Sequence, residues 1–263
     1  NQCGRELGFS VSLNDDGTIA AVGIPGDSGD ASGSVEVYES SGSGWQLKGS
    51  TISSSTAGTY TGILVGLDNS GTKLAIGDKE NGTTSGFYEF ESGDWARKSG
   101  PNFTAKSFSF SSDGSILAVG TSTSAIIYDI SSGSWSIRSG QDSFTSSGWS
   151  EVGFPYTGTN VSLSSDGSRL VIGHPSSDCV QNRYQYGYVR IYNWTGSSWQ
   201  LEKELRADDY DDCYGLVTAL SSDGSKLAVG SPTDDNSLGS DSGSVKLYER
   251  LNNNWVESNE ITP

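Results

Sequence analysis

Apolar and polar residues alternate with a period of two in short bursts along this chain, and the bursts return in the same order five times. Each copy opens on a leading run: SVSL, ILVGL, SFSF, NVSL or VTAL. A polar turn follows, NDDG from Asn14, DNSG from Asp68, and SSDG from Ser111, Ser164 and Ser221. The next run is apolar and ends in glycine, as in KLAVG. After a variable stretch comes an alternating run that closes on an aromatic: SVEVY to Tyr38, FYEF to Phe90, AIIY to Tyr128, YVRIY to Tyr192 and SVKLY to Tyr248. A second polar turn then leads to Trp45, Trp95, Trp135, Trp199 and Trp255. Counted from these aromatics, the step to Trp is seven residues in four copies and five in the second.

Period-two alternation predicts strands that each turn one face toward packing. Turns of the Asp-Gly and Ser-Gly kind join the first two runs at hairpin distance. Each copy therefore holds four short antiparallel strands. Helical periodicity is absent, and 35 glycines weigh against long helices. Four strands repeated at roughly 40 to 50 residues are the habit of a propeller blade. A β-sandwich also carries closely spaced turns, but it does not require the same Gly and Trp in every unit. The sequence thus predicts an all-β fold, a five-bladed β-propeller of four-stranded antiparallel blades. It forms one domain over residues 1–263, with blades near 7–49, 59–99, 105–139, 159–204 and 215–258.

Charge narrows the partners. Against 32 Asp and Glu stand 16 Lys and Arg, a net of −16, and this field repels phosphate backbones, so no nucleic acid is expected. No apolar run of about 18 residues occurs, so no membrane span is expected either. The chain contains no Met and starts at Asn1, which fits a processed product or a fragment. Abundant Ser and Thr with few Lys point to a secreted, extracellular protein. Four sequons occur, at Asn81, Asn102, Asn160 and Asn193. Three of them fall in expected loops or connections, whereas Asn160 adjoins a leading strand.

With strands a to d antiparallel, the a–b and c–d turns share one face of the blades. These turns are short and uniform. The b–c loops and d-to-a connections share the other face and are long and individual, so function is expected there. All three cysteines map to that face. A Cys179–Cys213 disulfide is the preferred pairing and Cys3–Cys213 its rival. Cys3 is left as a free or intermolecular thiol in the first case, and three reduced cysteines are the remaining reading. Tyr184, Tyr186 and Tyr210, with Asp208, Asp209, Asp234 and Asp235, form the expected partner-binding face. Asp211, Asp212 and Asp241 are the weak calcium candidates. None has the alternating acidic spacing of a calcium loop, so no cofactor or metal is expected, calcium being the alternative.

Catalytic chemistry is sought on the leading strands, taken as innermost. They carry neither Asp nor Glu, so the paired carboxylates of glycoside hydrolysis are missing. His174 is the single histidine and stands in GHP where other copies have GIP or GSP, which reads as structural and excludes a multi-histidine site. The expectation is therefore not an enzyme. Ranked first is a non-enzymatic extracellular structural or adhesive glycoprotein, a propeller subunit assembling into an array or filament. Its partners would be further copies of itself or a matrix or cell-surface protein, with glycans as a further class. A lectin-like carbohydrate-binding module ranks second and a glycoside-processing enzyme last.

The copies GFSVSLNDDGTIAAVGIP and VTALSSDGSKLAVGSP, each followed by SGSVEVY or SGSVKLY, resemble the FG-GAP repeats of integrin α-chain propellers. Gly8-Phe9 stands at the FG place. Gly23-Ile24-Pro25, Gly173-His174-Pro175 and Gly230-Ser231-Pro232 stand at the GAP place. The third copy lacks the proline and the long b–c loop, the blade number differs, and the a–b turns lack the acidic calcium hairpin. The resemblance implies a propeller and an extracellular adhesive role, and transfers no calcium site.

Overall fold

One turn chemistry starts every blade. Gly17, Gly71, Gly114, Gly167 and Gly224 all take φ between 63° and 70°, a left-handed conformation that costs glycine little. The first residue of each turn then caps the start of the second strand. Asn14 Oδ1 accepts the Ile19 N–H at 2.8 Å, Asp68 Oδ1 that of Lys73 at 2.8 Å, and the hydroxyls of Ser111, Ser164 and Ser221 those of Ile116, Arg169 and Lys226 at 2.9–3.0 Å. Asn, Asp and Ser interchange because each offers one short acceptor to the same amide.

These hairpins build five antiparallel sheets, the blades of a five-bladed β-propeller, each with four strands in sequence order and the first with a short fifth strand besides. The computed structural model describes residues 6–26, 31–79, 82–100, 102, 104–121, 124–131, 134–138, 144, 160–175, 187–209, 212–235 and 239–263. The first blade holds β1 (Ser10–Leu13), β2 (Ile19–Ile24), β3 (Ser34–Ser40), β4 (Trp45–Leu47) and β5 (Ile52–Ser53), the last pairing with β3. The second holds β6 (Leu64–Leu67), β7 (Lys73–Gly77), β8 (Gly86–Glu91) and β9 (Asp94–Arg97). The third holds β10 (Ser107–Phe110), β11 (Ile116–Gly120), β12 (Ala125–Ser131) and β13 (Ser134–Ile137). The fourth holds β14 (Asn160–Leu163), β15 (Arg169–His174), β16 (Tyr188–Trp194) and β17 (Trp199–Arg206). The fifth holds β18 (Val217–Leu220), β19 (Lys226–Ser231), β20 (Ser244–Leu251) and β21 (Asn254–Ile261).

Strand register corrects one reading of the repeat. Leu74 faces Tyr88, as Ala20 faces Tyr38, Leu170 faces Tyr192 and Leu227 faces Tyr248. The repeated aromatic of the second copy is therefore Tyr88, with Phe90 lying opposite Trp95. Measured from Tyr88, the step to Trp is seven residues here as in every other blade.

The blades fall into two compact units, residues 1–117 with 128–137, and residues 118–127 with 138–263. In the first unit Ile19, Ala21, Val35 and Val37 of blade 1 form one buried cluster with Val65, Leu67, Leu74, Ile76, Tyr88 and Trp95 of blade 2. Side chains on the leading strand knit the same contact. Ser12 Oγ accepts the Leu67 N–H at 3.0 Å, and Trp95 Nε1 donates to the Lys48 carbonyl at 2.9 Å. In the second unit Val171, Val189 and Ile191 of blade 4 cluster with Leu227, Val229, Tyr248 and Trp255 of blade 5. There Asn160 Oδ1 and Ser162 Oγ accept the amides of Thr218 and Leu220 at 2.9 and 3.0 Å. Each Val, Leu or Ile so buried contributes about 1.5–3 kcal/mol, so blade stacking rather than strand pairing alone holds each unit.

Candidate functional site

In blade 2 the residue after the last glycine of the second strand is Asp78. Its equivalents are Ile24, Thr121, His174 and Ser231. An aliphatic residue fits this place because the position is buried. Asp78 is fully buried too, and its surroundings are polar. The d-to-a connection before β6 is held against blade 1 by the amides of Tyr60 and Thr61, which donate to the carbonyls of Ala31 and Ser32 at 2.9 and 3.0 Å. It is tied to the b–c loop by the Lys79 amide, which donates to the Thr59 carbonyl at 2.9 Å. Asp78 lies between these segments. The Ser85 amide donates to Oδ2 at 3.1 Å. Oδ1 is buried and has no hydrogen-bond partner.

Burial raises the Asp78 carboxyl to about 6, against the pull of the Thr61 and Ser85 hydrogen bonds and the Arg97 charge. One cation acts on it. Arg97 reaches across Gly86, which leaves the room a side chain would fill, and donates to the Ser85 carbonyl at 2.9 Å and to Asn102 Oδ1 at 2.6 Å. Lys79 Nζ lies 4.7 Å from the centre of the Tyr60 ring. Burial, and then the charge of Lys79, lower the Lys106 ammonium. Tyr88, whose hydroxyl donates to the Thr84 carbonyl at 2.8 Å, is pushed up to about 12 by burial. The site thus offers one carboxyl that exchanges a proton near neutral pH, the Arg97 cation and several hydroxyls. Such a set can take a proton from water and stabilise a developing oxyanion.

Of the acids singled out from sequence, Asp209 and Asp234 lie near enough to act on Asp212, and so does Lys246, the partner of Asp208. Asp208 is exposed and ion-paired with the buried Lys246, and Asp209 follows it. Asp212 is buried, and burial, then the charge of Asp234, raises it to about 6. The Asp241 amide donates to Asp235 Oδ1 at 2.8 Å. No three His, Cys, Asp or Glu side chains converge as a metal site among the described residues. Tyr184, Tyr186, Tyr210, Asp211, Cys3, Cys179 and Asn81 lie outside the described residues. Cys213 is disulfide-bonded and buried, so its partner is one of the other two cysteines. Asn102 is exposed beside Arg97, Asn160 is engaged by the Thr218 amide and hydroxyl, and Asn193 lies within β16. His174 is buried and stacked on Tyr188 with centroids 4.6 Å apart, and burial lowers it to about 4.

No sequence-family profile and no curated protein matches the chain. Solved structures do. The periplasmic gluconolactonase PpgL of Pseudomonas aeruginosa aligns with a TM-score of 0.62 at 15% identity, over 95% of this chain and 71% of that one. The β-propeller domain of Swd1 from Myceliophteria thermophila aligns with a TM-score of 0.58 at 11% identity, over 97% and 72%. Hydrazine synthase of Kuenenia stuttgartiensis aligns with a TM-score of 0.56 at 13% identity, over 91% and 63%, so the chain spans less than two thirds of that length. At these identities the likeness is one of fold.

Two of these three similar proteins are enzymes, and this overturns the expectation of a non-enzymatic, adhesive or structural subunit. The leading strands carry neither Asp nor Glu, whereas Asp78 stands just past the second strand. The signal in the repeat is an acid in the place that holds Ile24 in the first copy and His174 in the fourth.

Proposed function

We propose that the protein is a hydrolase of a small polyhydroxylated ester, a sugar lactone being the substrate class, with Asp78 as general base. The observation that carries this is the buried Asp78 carboxyl, raised to about 6, with one oxygen free of protein partners and the Arg97 charge acting on it. A water held on Oδ1 gives its proton to the carboxylate as its oxygen attacks the lactone carbonyl. The ring C–O bond then breaks, and the proton passes to the departing alkoxide. Arg97 supplies positive charge for the oxyanion and for the acid product, in a chain whose net charge is −16. Fold likeness to a gluconolactonase supports the substrate class. The Cys213 disulfide supports an extracytoplasmic location, since such bonds persist in oxidising compartments.

Glucono-δ-lactone hydrolysis by the purified protein, followed by acid release, tests the reading. The kcat/KM should rise with pH through about 6 and level off above it, as the base ionises. Asp78→Asn should lower kcat by about 100-fold or more while the circular dichroism spectrum stays that of the wild type. Equal activity of the two proteins would remove Asp78 from the mechanism.

A further inference from the structure

Position-for-position comparison of the blades shows two further departures in blade 2, and they belong together. Opposite the repeated Tyr, the fourth strands carry Leu47, Arg97, Ile137, Leu201 and Glu257. Two residues before that Tyr stand Glu36, Gly86, Ile126, Arg190 and Lys246. Both positions lie on one face of the sheet as diagonal neighbours. Blades 4 and 5 fill the second position with a long cation, Arg190 paired with Glu204 at 2.9 Å and Lys246 paired with Asp208. Blade 2 empties it instead, and Arg97 takes the space from the next strand. A Cβ on Gly86 would stand 2.9 Å from Arg97 Nη2, and Gly86 itself has φ of 139°, so both the close approach and the backbone call for glycine.

Once there, the guanidinium is held from two sides. Nη2 donates to the Ser85 carbonyl at 2.9 Å and to Asn102 Oδ1 at 2.6 Å, Nε donates to the same carbonyl at 3.3 Å, and Nη1 reaches the Lys98 carbonyl at 3.5 Å. These acceptors are neutral oxygens, so Arg97 loses freedom and keeps its charge. Asn102 is the one side chain among them. Ser85 joins this clamp to the carboxyl, since its carbonyl accepts from Arg97 while its amide donates to Asp78 Oδ2 at 3.1 Å. Arg97 is the charge that acts on Asp78, and the Tyr88 hydroxyl on β8, which feels both, stays protonated up to about 12. Asp78, Ser85, Gly86, Arg97 and Asn102 all fall within the first compact unit.

We infer that Asn102 is a positioning residue of the Asp78 site: it clamps the Arg97 guanidinium over Gly86 and so fixes one positive charge toward the carboxyl. Without the Asn102 acceptor the guanidinium is anchored mainly on the Ser85 carbonyl, and a long, rotamer-rich side chain can swing its charge away. A charge fixed before the reaction stabilises a developing oxyanion better than one that must be gathered during it. The part of Asn102 in hydrolysis rests on Asp78 acting as the base, whereas its hold on Arg97 does not.

A double-mutant cycle on the substrate-free protein tests it, with the Asp78 carboxyl titrated by carbon-13 NMR and its signal assigned by loss in Asp78→Asn. Arg97→Gln should move the midpoint from about 6 to about 7, since a nearby positive charge favours the carboxylate. Asn102→Ala should move it in the same direction by roughly half as much. Added to Arg97→Gln, Asn102→Ala should move it no further, because its effect runs through Arg97. An unchanged midpoint in Asn102→Ala, or an equal rise with and without Arg97, overturns the inference. In glucono-δ-lactone hydrolysis Asn102→Ala should lower kcat by roughly 10-fold or more and leave KM within about two-fold. Unchanged kcat in an active protein overturns the catalytic part. An inactive wild type removes the hydrolase reading alone, and the titration cycle still decides whether Asn102 positions Arg97.

Discussion

At the scale of single residues, Asp78 shows what a reactive carboxyl costs its fold. A folded-state value near 6 against an ordinary 3.8 means that the folded protein holds the proton more tightly than the unfolded chain. The stabilisation associated with that proton is complete below about pH 4 and is lost as pH rises through about 6. Two units correspond to about 3 kcal/mol for a group this deeply buried, a large part of the stability of a marginal fold. Asp78→Asn cannot titrate, so its stability relative to wild type should improve by about that amount between pH 4 and pH 8, measured by urea unfolding at each pH. A difference that does not change with pH would show that the carboxyl is not strained by burial. His174, in the equivalent place in blade 4, responds to burial in the opposite sense, staying neutral down to about pH 4. The same position can thus hold an aliphatic, an acid or a base, and only the acid keeps an unpartnered oxygen.

At the scale of the element, the repeated turn separates structural from silent serines. Ser164 is buried, and its hydroxyl accepts the Arg169 amide at 2.9 Å and donates to Asp166 at 2.6 Å. Ser165, next in sequence, is not buried and uses its backbone amide toward Ser222. Ser164→Ala leaves a buried amide unsatisfied and should cost about 1–3 kcal/mol. Ser165→Ala should stay within about 0.5 kcal/mol of wild type. Thermal unfolding of the two variants checks this, and equal losses would show that the hydroxyl cap is not what closes the hairpin. The turn was legible in the sequence because Asn14, Asp68, Ser111, Ser164 and Ser221 answer the same local demand five times. Register was less legible. FYEF offers two aromatics at one spacing from the strand face, and only pairing with Leu74 decides that Tyr88 rather than Phe90 is the repeated one.

At the scale of the whole molecule, repetition reveals scaffold and conceals chemistry. The five-fold Gly, Tyr and Trp pattern specifies sheets and their stacking, because stacking needs the same residues each time. The meaning of a departure depends on neighbours distant in sequence: burial raises the Asp78 carboxyl, and Thr61, Ser85 and Arg97 only partly offset it. Charge is a collective property and was fully legible. Many of the basic residues are spent on local pairs, such as Arg169 and Arg250 with Glu202, or Arg190 and Arg206 with Glu204. These pairs are largely buried and so little screened by salt, while exposed ones such as Lys226–Glu249 contribute about 0–1 kcal/mol each, so screening loses little. The surplus of 16 negative charges repels across the whole surface, over a screening length that falls from about 30 Å at 0.01 M salt to about 10 Å at 0.1 M. Relief of that repulsion outweighs the weakened pairs. Calorimetry at pH 8 should therefore give a melting temperature that climbs by several degrees from 0.01 to 0.3 M sodium chloride, at about 2–4 °C for each kcal/mol gained in a chain of this size. A flat or falling melting temperature would show that the local pairs, and not the net charge, govern the electrostatics of the fold.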